Sequence, residues 1–133
     1  AVDRFQQSWE PIFLLTKQPQ YDFNEEITTT TDTWEIATSS RKTNHPAPLP
    51  IEVCEKCIKA GCPQDGVVLD PFCGSGSVCI TAEKRNRDYV GIDINEEYVT
   101  EAAEKLGQTT TQIETNGVTQ KNVTGQRNLS TYM

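Results

Sequence analysis

An α/β fold with a mostly parallel sheet and flanking helices is what this sequence predicts, and three observations predict it. Two short continuous apolar runs, Val67-Val68-Leu69 and Tyr89-Val90-Gly91-Ile92, have the length and composition of buried parallel strands. A helical pattern lies between them, and another follows the second run. A glycine turn, Gly74-Ser75-Gly76, leads from the first run into its helix, and Asp93 closes the second run. Strands joined through a helix in this way run parallel, with a right-handed crossover and helices against the sheet.

In chain order, residues 9–17 hold an apolar run of strand length, bounded by Pro11 and the polar residues 18–20. A second short strand is expected at 21–23. Residues 28–33, nearly all threonine, suit β structure but are too polar for a core. Residues 38–50 carry Pro46, Pro48 and Pro50 and read as a stiffened loop able to line a site. A helix follows from Pro50, a favourable first helical residue, with Glu52 and Glu55 near its positive end. Ile51, Cys54 and Ile58 recur at helical spacing, and Gly61 and Pro63 end the helix. The helix after the glycine turn is expected over 78–86. Asn95 caps a third, with Glu96 and Glu97 in its first turn and Val99, Ala102, Ala103 and Leu106 on one face. Gly107 stops it. Residues 1–107 therefore form the structured unit, and 108–133, rich in Thr, Gln and Asn without a period, read as a polar irregular tail.

Composition narrows the partners. The 133 residues suffice for one modest domain, and the net charge is -7. The only adjacent basic pairs are Arg41-Lys42 and Lys84-Arg85. A domain that holds duplex DNA by itself needs a basic stripe, because phosphate neutralisation supplies most of its affinity. No apolar run approaches the about 18 residues of a membrane span, and no leader pattern is seen, so the expected setting is the cytoplasm, away from membranes. Cys54, Cys57 and Cys62 are spaced C-x2-C-x4-C, with His45 the only histidine. Structural zinc usually takes two well-spaced ligand pairs, so Cys54 and Cys57 read as small buried side chains on a helix and no metal is expected.

A strand, a glycine turn, a helix and an acid ending the next strand make a nucleoside-binding arrangement. Asp93 lies roughly 20 residues beyond the turn, where a carboxylate takes a pair of ribose hydroxyls. A dinucleotide fingerprint would need a third glycine where Cys79 stands. A phosphate loop would need a lysine after the second glycine, where Ser77 and Val78 follow instead. S-adenosylmethionine, which has no pyrophosphate, needs only the loop and the acid.

The wording of the motifs decides among these. Val68-Leu69-Asp70-Pro71-Phe72-Cys73-Gly74-Ser75-Gly76-Ser77 resembles the V-L-D-P-F-x-G-S-G-T motif of DNA amino-methyltransferases, which modify adenine at N6 or cytosine at N4. Ser77 replaces the threonine and keeps its hydroxyl. Tyr89-Val90-Gly91-Ile92-Asp93-Ile94, followed by Tyr98, is similar to the family's Y-x-G-I-(E/D)-(I/L) motif. His45-Pro46-Ala47-Pro48-Leu49-Pro50 is similar to its H-P-A-x-F-P segment. The resemblance implies a partial Rossmann-like methyltransferase fold, S-adenosylmethionine as cofactor, and site-specific methylation of DNA, as in restriction-modification. It further implies that Asp70, Phe72, Gly74, Gly76 and Ser77 shape the pocket for the methionine part and that Asp93 takes the ribose hydroxyls. Ile94 would lie against the adenine, and His45 and Pro46 would close over the cofactor. Two plainer readings stay open: Phe72 as core packing, and Asp70 as a carboxylate capping the loop.

One element of that family is absent. Its Asp/Asn/Ser-Pro-Pro-Tyr/Phe/Trp motif, which bonds the target amino group and stacks on the flipped base, occurs nowhere in the 133 residues. No catalytic residue is assigned, and the isolated chain is expected to be inactive. In permuted members the catalytic motif precedes the cofactor motif, an order that suits a cofactor-binding portion. DNA would then be reached through a missing or separate part, with a partner methylase chain or a homo-oligomer as possible assemblies. The alternative is a non-catalytic S-adenosylmethionine-binding module, or a remnant, that needs a separate catalytic chain.

Overall fold

The computed structural model describes residues 9–24, 31–37, 49–108, 110–115 and 118–125, with side chains in the last two segments described only at 123–125. Its elements are α1 (Ile51–Gly61), β1 (Val67–Asp70), α2 (Ser77–Lys84), β2 (Asp88–Asp93), α3 (Glu96–Leu106), β3 (Thr110–Thr115) and β4 (Val118–Gly125). The sheet order is β1-β2-β4-β3. β1 and β2 are parallel, with Leu69 opposite Val90 and Asp70 opposite Gly91. β4 runs antiparallel to both β2 and β3. The sheet is therefore mixed, and its parallel part is the β1–β2 pair joined through α2.

The expected core elements form for the reasons the sequence gives. Asn95 caps α3 by accepting the Glu97 N–H at 2.9 Å, and Gly107 ends it. Pro50 sits one position earlier than expected, as the residue before α1 rather than its first. One buried cluster unites Ile58 of α1, Cys79 and Ala82 of α2, Tyr89 of β2, Val99, Ala102, Ala103 and Leu106 of α3, and Val123 of β4. α2 and α3 pack on the same face of the sheet, and α1 packs chiefly on α2. The Arg85 guanidinium meets Glu55 at 3.0 Å, and Arg87 donates twice to the Cys62 carbonyl, at 3.2 and 3.0 Å. These ties fix the end of α1 to the turn before β2. Among the described residues the opposite sheet face has no helix over it.

Two expectations are corrected. The stretch 108–133, read as irregular, contains β3 and β4, and β4 joins the central sheet beside β2. Its polarity misleads because a short hairpin on a sheet edge needs few apolar residues. Here Val123, fully buried opposite Gly91, is the described core contact. Conversely, residues 9–17 and 21–23 form no strand. Ile12, Phe13, Leu14 and Leu15 are mostly exposed, since an apolar run becomes a strand only where a neighbouring strand accepts its hydrogen bonds. This arm is fastened to α1 by the Asn24 N–H, which donates to Ala60 O at 2.9 Å; in the separate segment 31–37, the Trp34 ring centre lies 5.4 Å from the Lys56 ammonium. The proline loop with His45 and Pro46 lies outside the described residues, as do threonines 28–30.

Candidate functional site

The site is built where β1 and β2 end side by side. Leaving β1, the chain turns through Pro71 and Phe72 and then returns to β2. The Cys73 N–H donates to Ile92 O at 2.8 Å, which extends the parallel pairing by one bond beyond the strand. The next amide, Gly74 N–H, donates to Asp93 Oδ2 at 2.8 Å, while Asp93 Oδ1 accepts the Asn95 N–H at 2.9 Å. One carboxylate thus straps the glycine loop to the entry of α3. A further turn, Gly76 N–H to Cys73 O at 2.9 Å, delivers the chain into α2.

Two glycines make this closeness possible. Gly76 has φ of 87°, in the left-handed region, and a Cβ there would lie 2.8 Å from the Ala102 Cβ, so α2 could not start so near α3. At Gly91 a Cβ would lie 2.7 Å from Cys79 Sγ and 3.1 Å from Cys73 Cβ. Strand β2 must carry a glycine there for the loop to settle on it. Ser77 opens α2, and its carbonyl accepts the Thr81 hydroxyl at 2.7 Å.

The electrostatics are anionic. Burial raises the Asp70 carboxyl above its ordinary value; the Phe72 amide opposes this, and the neighbouring charge of Asp93 adds to it. Asp70 Oδ1 accepts the Phe72 N–H at 3.1 Å, which is the capping arrangement considered above. Phe72 is 87% exposed and Ile94 78% exposed. The core-packing reading of Phe72 is thereby overturned: an aromatic ring and an aliphatic side chain stand out from the fold beside two carboxylates.

Chemically, this arrangement suits a ligand with hydroxyls or positive charge and a flat apolar portion. It does not suit a phosphate, because the Gly74 amide is already held by Asp93 and two carboxylates repel anions. Of the expected residues, the structure brings together Asp70, Phe72, Gly74, Gly76, Ser77, Asp93 and Ile94 at the ends of two adjacent strands. His45 and Pro46 are not described. Sequence reasoning quoted Cys73 and Gly91 in the motifs and read Asn95 as a helix cap, but gave none of the three a part in shaping the site. Cys73 and Asn95 act through backbone amides, which no side-chain pattern reveals, and Gly91 acts by having no side chain.

Comparisons with known proteins show the family of the chain. A family model described as DNA methylase matches residues 1–104. The chain is 34% identical over 114 residues to the Type II methyltransferase M.XycI of Xanthomonas campestris pv. cyanopsidis, covering 78% of this chain and 38% of that protein. Against M.ScaI of Streptomyces caespitosus it is 44% identical over 84 residues, covering 57% of this chain and 28% of the relative. A solved structure, the crystal structure of an M1.HpyAVI–SAM complex, matches with a TM-score of 0.54 and 26% identity, over 68% of this chain and 46% of that one. The chain therefore spans between 28% and 38% of the length of these two curated relatives.

Proposed function

Because the chain belongs to the adenine-N6/cytosine-N4 DNA methylase family, we propose that it is the S-adenosylmethionine-binding portion of a site-specific DNA amino-methyltransferase. The observation that carries this reading is the strap from Asp93 to the glycine loop at adjoining strand ends. The residues present fit the cofactor. S-adenosylmethionine carries positive charge on its sulfur and its amino group, and the paired carboxylates of Asp70 and Asp93 offer the opposite charge. Each Asp93 oxygen holds one backbone amide and retains a second lone pair, which leaves it able to accept a ribose hydroxyl. Gly74, Gly76 and Ser77 would bound the methionine end, with Phe72 as an apolar wall and Ile94 against the adenine. His45 and Pro46 would cover the bound molecule.

When bound, the cofactor supplies an electrophilic methyl group. This chain's own residues hold and orient it and set the field around it. They do not supply what the acceptor needs. The amino nitrogen of adenine or cytosine is a poor nucleophile because its lone pair is delocalised into the ring. A polar group that bonds the amino hydrogens, with an aromatic residue that stacks on the flipped base, is required as well. The tetrapeptide that provides these in the family is absent from the sequence. Methyl transfer to DNA therefore needs a further part of the protein or a second chain, and the chain alone is inactive.

Calorimetric titration of S-adenosylmethionine into the full chain tests the reading. One site is expected, weakened at least tenfold by Asp93→Ala. That variant loses two charge-assisted hydrogen bonds that shape the loop, worth about 1.5–3 kcal/mol each, as well as the ribose acceptor. Absence of binding by the parent would overturn the cofactor assignment. Undiminished binding by the variant would overturn the role of Asp93.

A further inference from the structure

We infer that Lys105 of α3 is a positioning residue for the glycine loop: its ammonium holds the Ser75 carbonyl and so keeps the loop in the shape that takes the cofactor. The inference deepens the reading above and rests on it. Lys105 lies 30 residues beyond Ser75 in sequence, yet its Nζ donates to Ser75 O at 3.4 Å.

Helix geometry explains the reach. Lys105 stands in the last turn of α3, and a long helical side chain points back towards the start of its helix. Ala102, three residues earlier and so on the same face, is fully buried against the loop. There a Cβ on Gly76 would lie 2.8 Å from the Ala102 Cβ. The Glu101 carboxylate, one turn before Lys105, takes its ammonium at 2.7 Å. Ala102 therefore brings the loop within range, and Glu101 steadies the ammonium beside it.

The bond falls on the peptide most in need of it. Ser75 O belongs to the same peptide plane as the Gly76 N–H, which donates to Cys73 O at 2.9 Å. Gly76 has φ of 87°, and a glycine takes either sign of φ at little cost. The plane before it can turn over unless both of its ends are held. Cys73 holds the N–H end and Lys105 the carbonyl end. With Gly74 fixed by Asp93 and Gly76 seated on Ala102, three consecutive loop residues are then held. Glu101 also balances the charge, so the tether places little net positive field beside a cationic ligand.

The test compares two variants of the full chain. Lys105→Met keeps the aliphatic stem and loses the donor, whereas Lys105→Arg keeps a cationic donor. The side chain is partly exposed, so both should fold. In the free chain, the Gly76 amide of Lys105→Met should exchange at least about threefold faster than in the parent, with the α3 amides changed less. Calorimetric titration should show S-adenosylmethionine bound at least about threefold more weakly by Lys105→Met. Lys105→Arg should restore both. Parent-like exchange or affinity in Lys105→Met would overturn the inference, as would equal losses in the two variants. Faster exchange spread evenly over α3 and the loop would also overturn it, because Lys105 would then only stabilise its helix. Failure of the parent to bind S-adenosylmethionine would count against the cofactor reading, while the exchange rates still decide whether Lys105 holds the loop.

Discussion

Both oxygens of Asp93 accept backbone amides, one from the loop after β1 and one from the residue that caps α3. Its replacement by asparagine should keep one of these bonds and lose the other, so the loop should loosen without unfolding. Faster amide exchange at Gly74 in Asp93→Asn, with the midpoint of denaturation nearly kept, would show this. Asp70 makes a pH prediction. Its carboxyl is raised in the folded protein by burial and by Asp93, against about 3.9 in an unfolded chain. A raised carboxyl favours folding fully below the unfolded value, and that contribution is lost as pH rises through the folded value. Asp70→Asn retains an oxygen for the Phe72 amide and removes the buried charge. It should be more stable than the parent at pH 7, with the difference closing below about pH 4. Urea midpoints at the two pH values check the sign. Cys54, buried in α1, has its thiol pushed up to about 11 by burial. At pH 8 its alkylation should be roughly a hundredfold slower than in the denatured chain, because the thiolate is the reactive form.

At the scale of elements, the helices were legible and the strands only partly so. Asn95, the glutamates after it and the Val99-Ala102-Ala103-Leu106 face specify α3 locally, and the structure agrees. Asn95→Ala should cost about 1 kcal/mol of stability, read from the denaturation midpoint. Strands depend on partners distant in sequence. The run at 12–15 has the composition of a strand but no neighbour among the described residues, whereas β4, polar throughout except for Val118 and Val123, is recruited by β2. The β2–loop contact gives an element-scale test at Gly91. Its substitution by alanine would press a methyl group on Cys79 and Cys73, at a typical overpacking cost of about 1–3 kcal/mol. Gly61→Ala, where nothing lies within 4 Å, should be neutral or slightly stabilising.

For the whole molecule, the geometry of the glycine loop was more legible than the order of the sheet around it. Short motifs at 68–77 and 89–94 carry residues whose side chains or missing side chains act locally, and the structure brings them together. The sheet order β1-β2-β4-β3 pairs strands distant in sequence, so it could not be read from local pattern. Among the described residues the chain has a formed loop and a sheet face with no helix over it. On the proposed function, this chain holds the cofactor and does not by itself use it. The most direct measurement follows tritium from methyl-labelled S-adenosylmethionine in one mixture of the isolated chain and genomic DNA, with protein and DNA then separated. Label held by the protein in proportion to chain, with DNA at background, is the expected result. Robust labelling of the DNA by the isolated chain, abolished by Asp93→Ala, would contradict it.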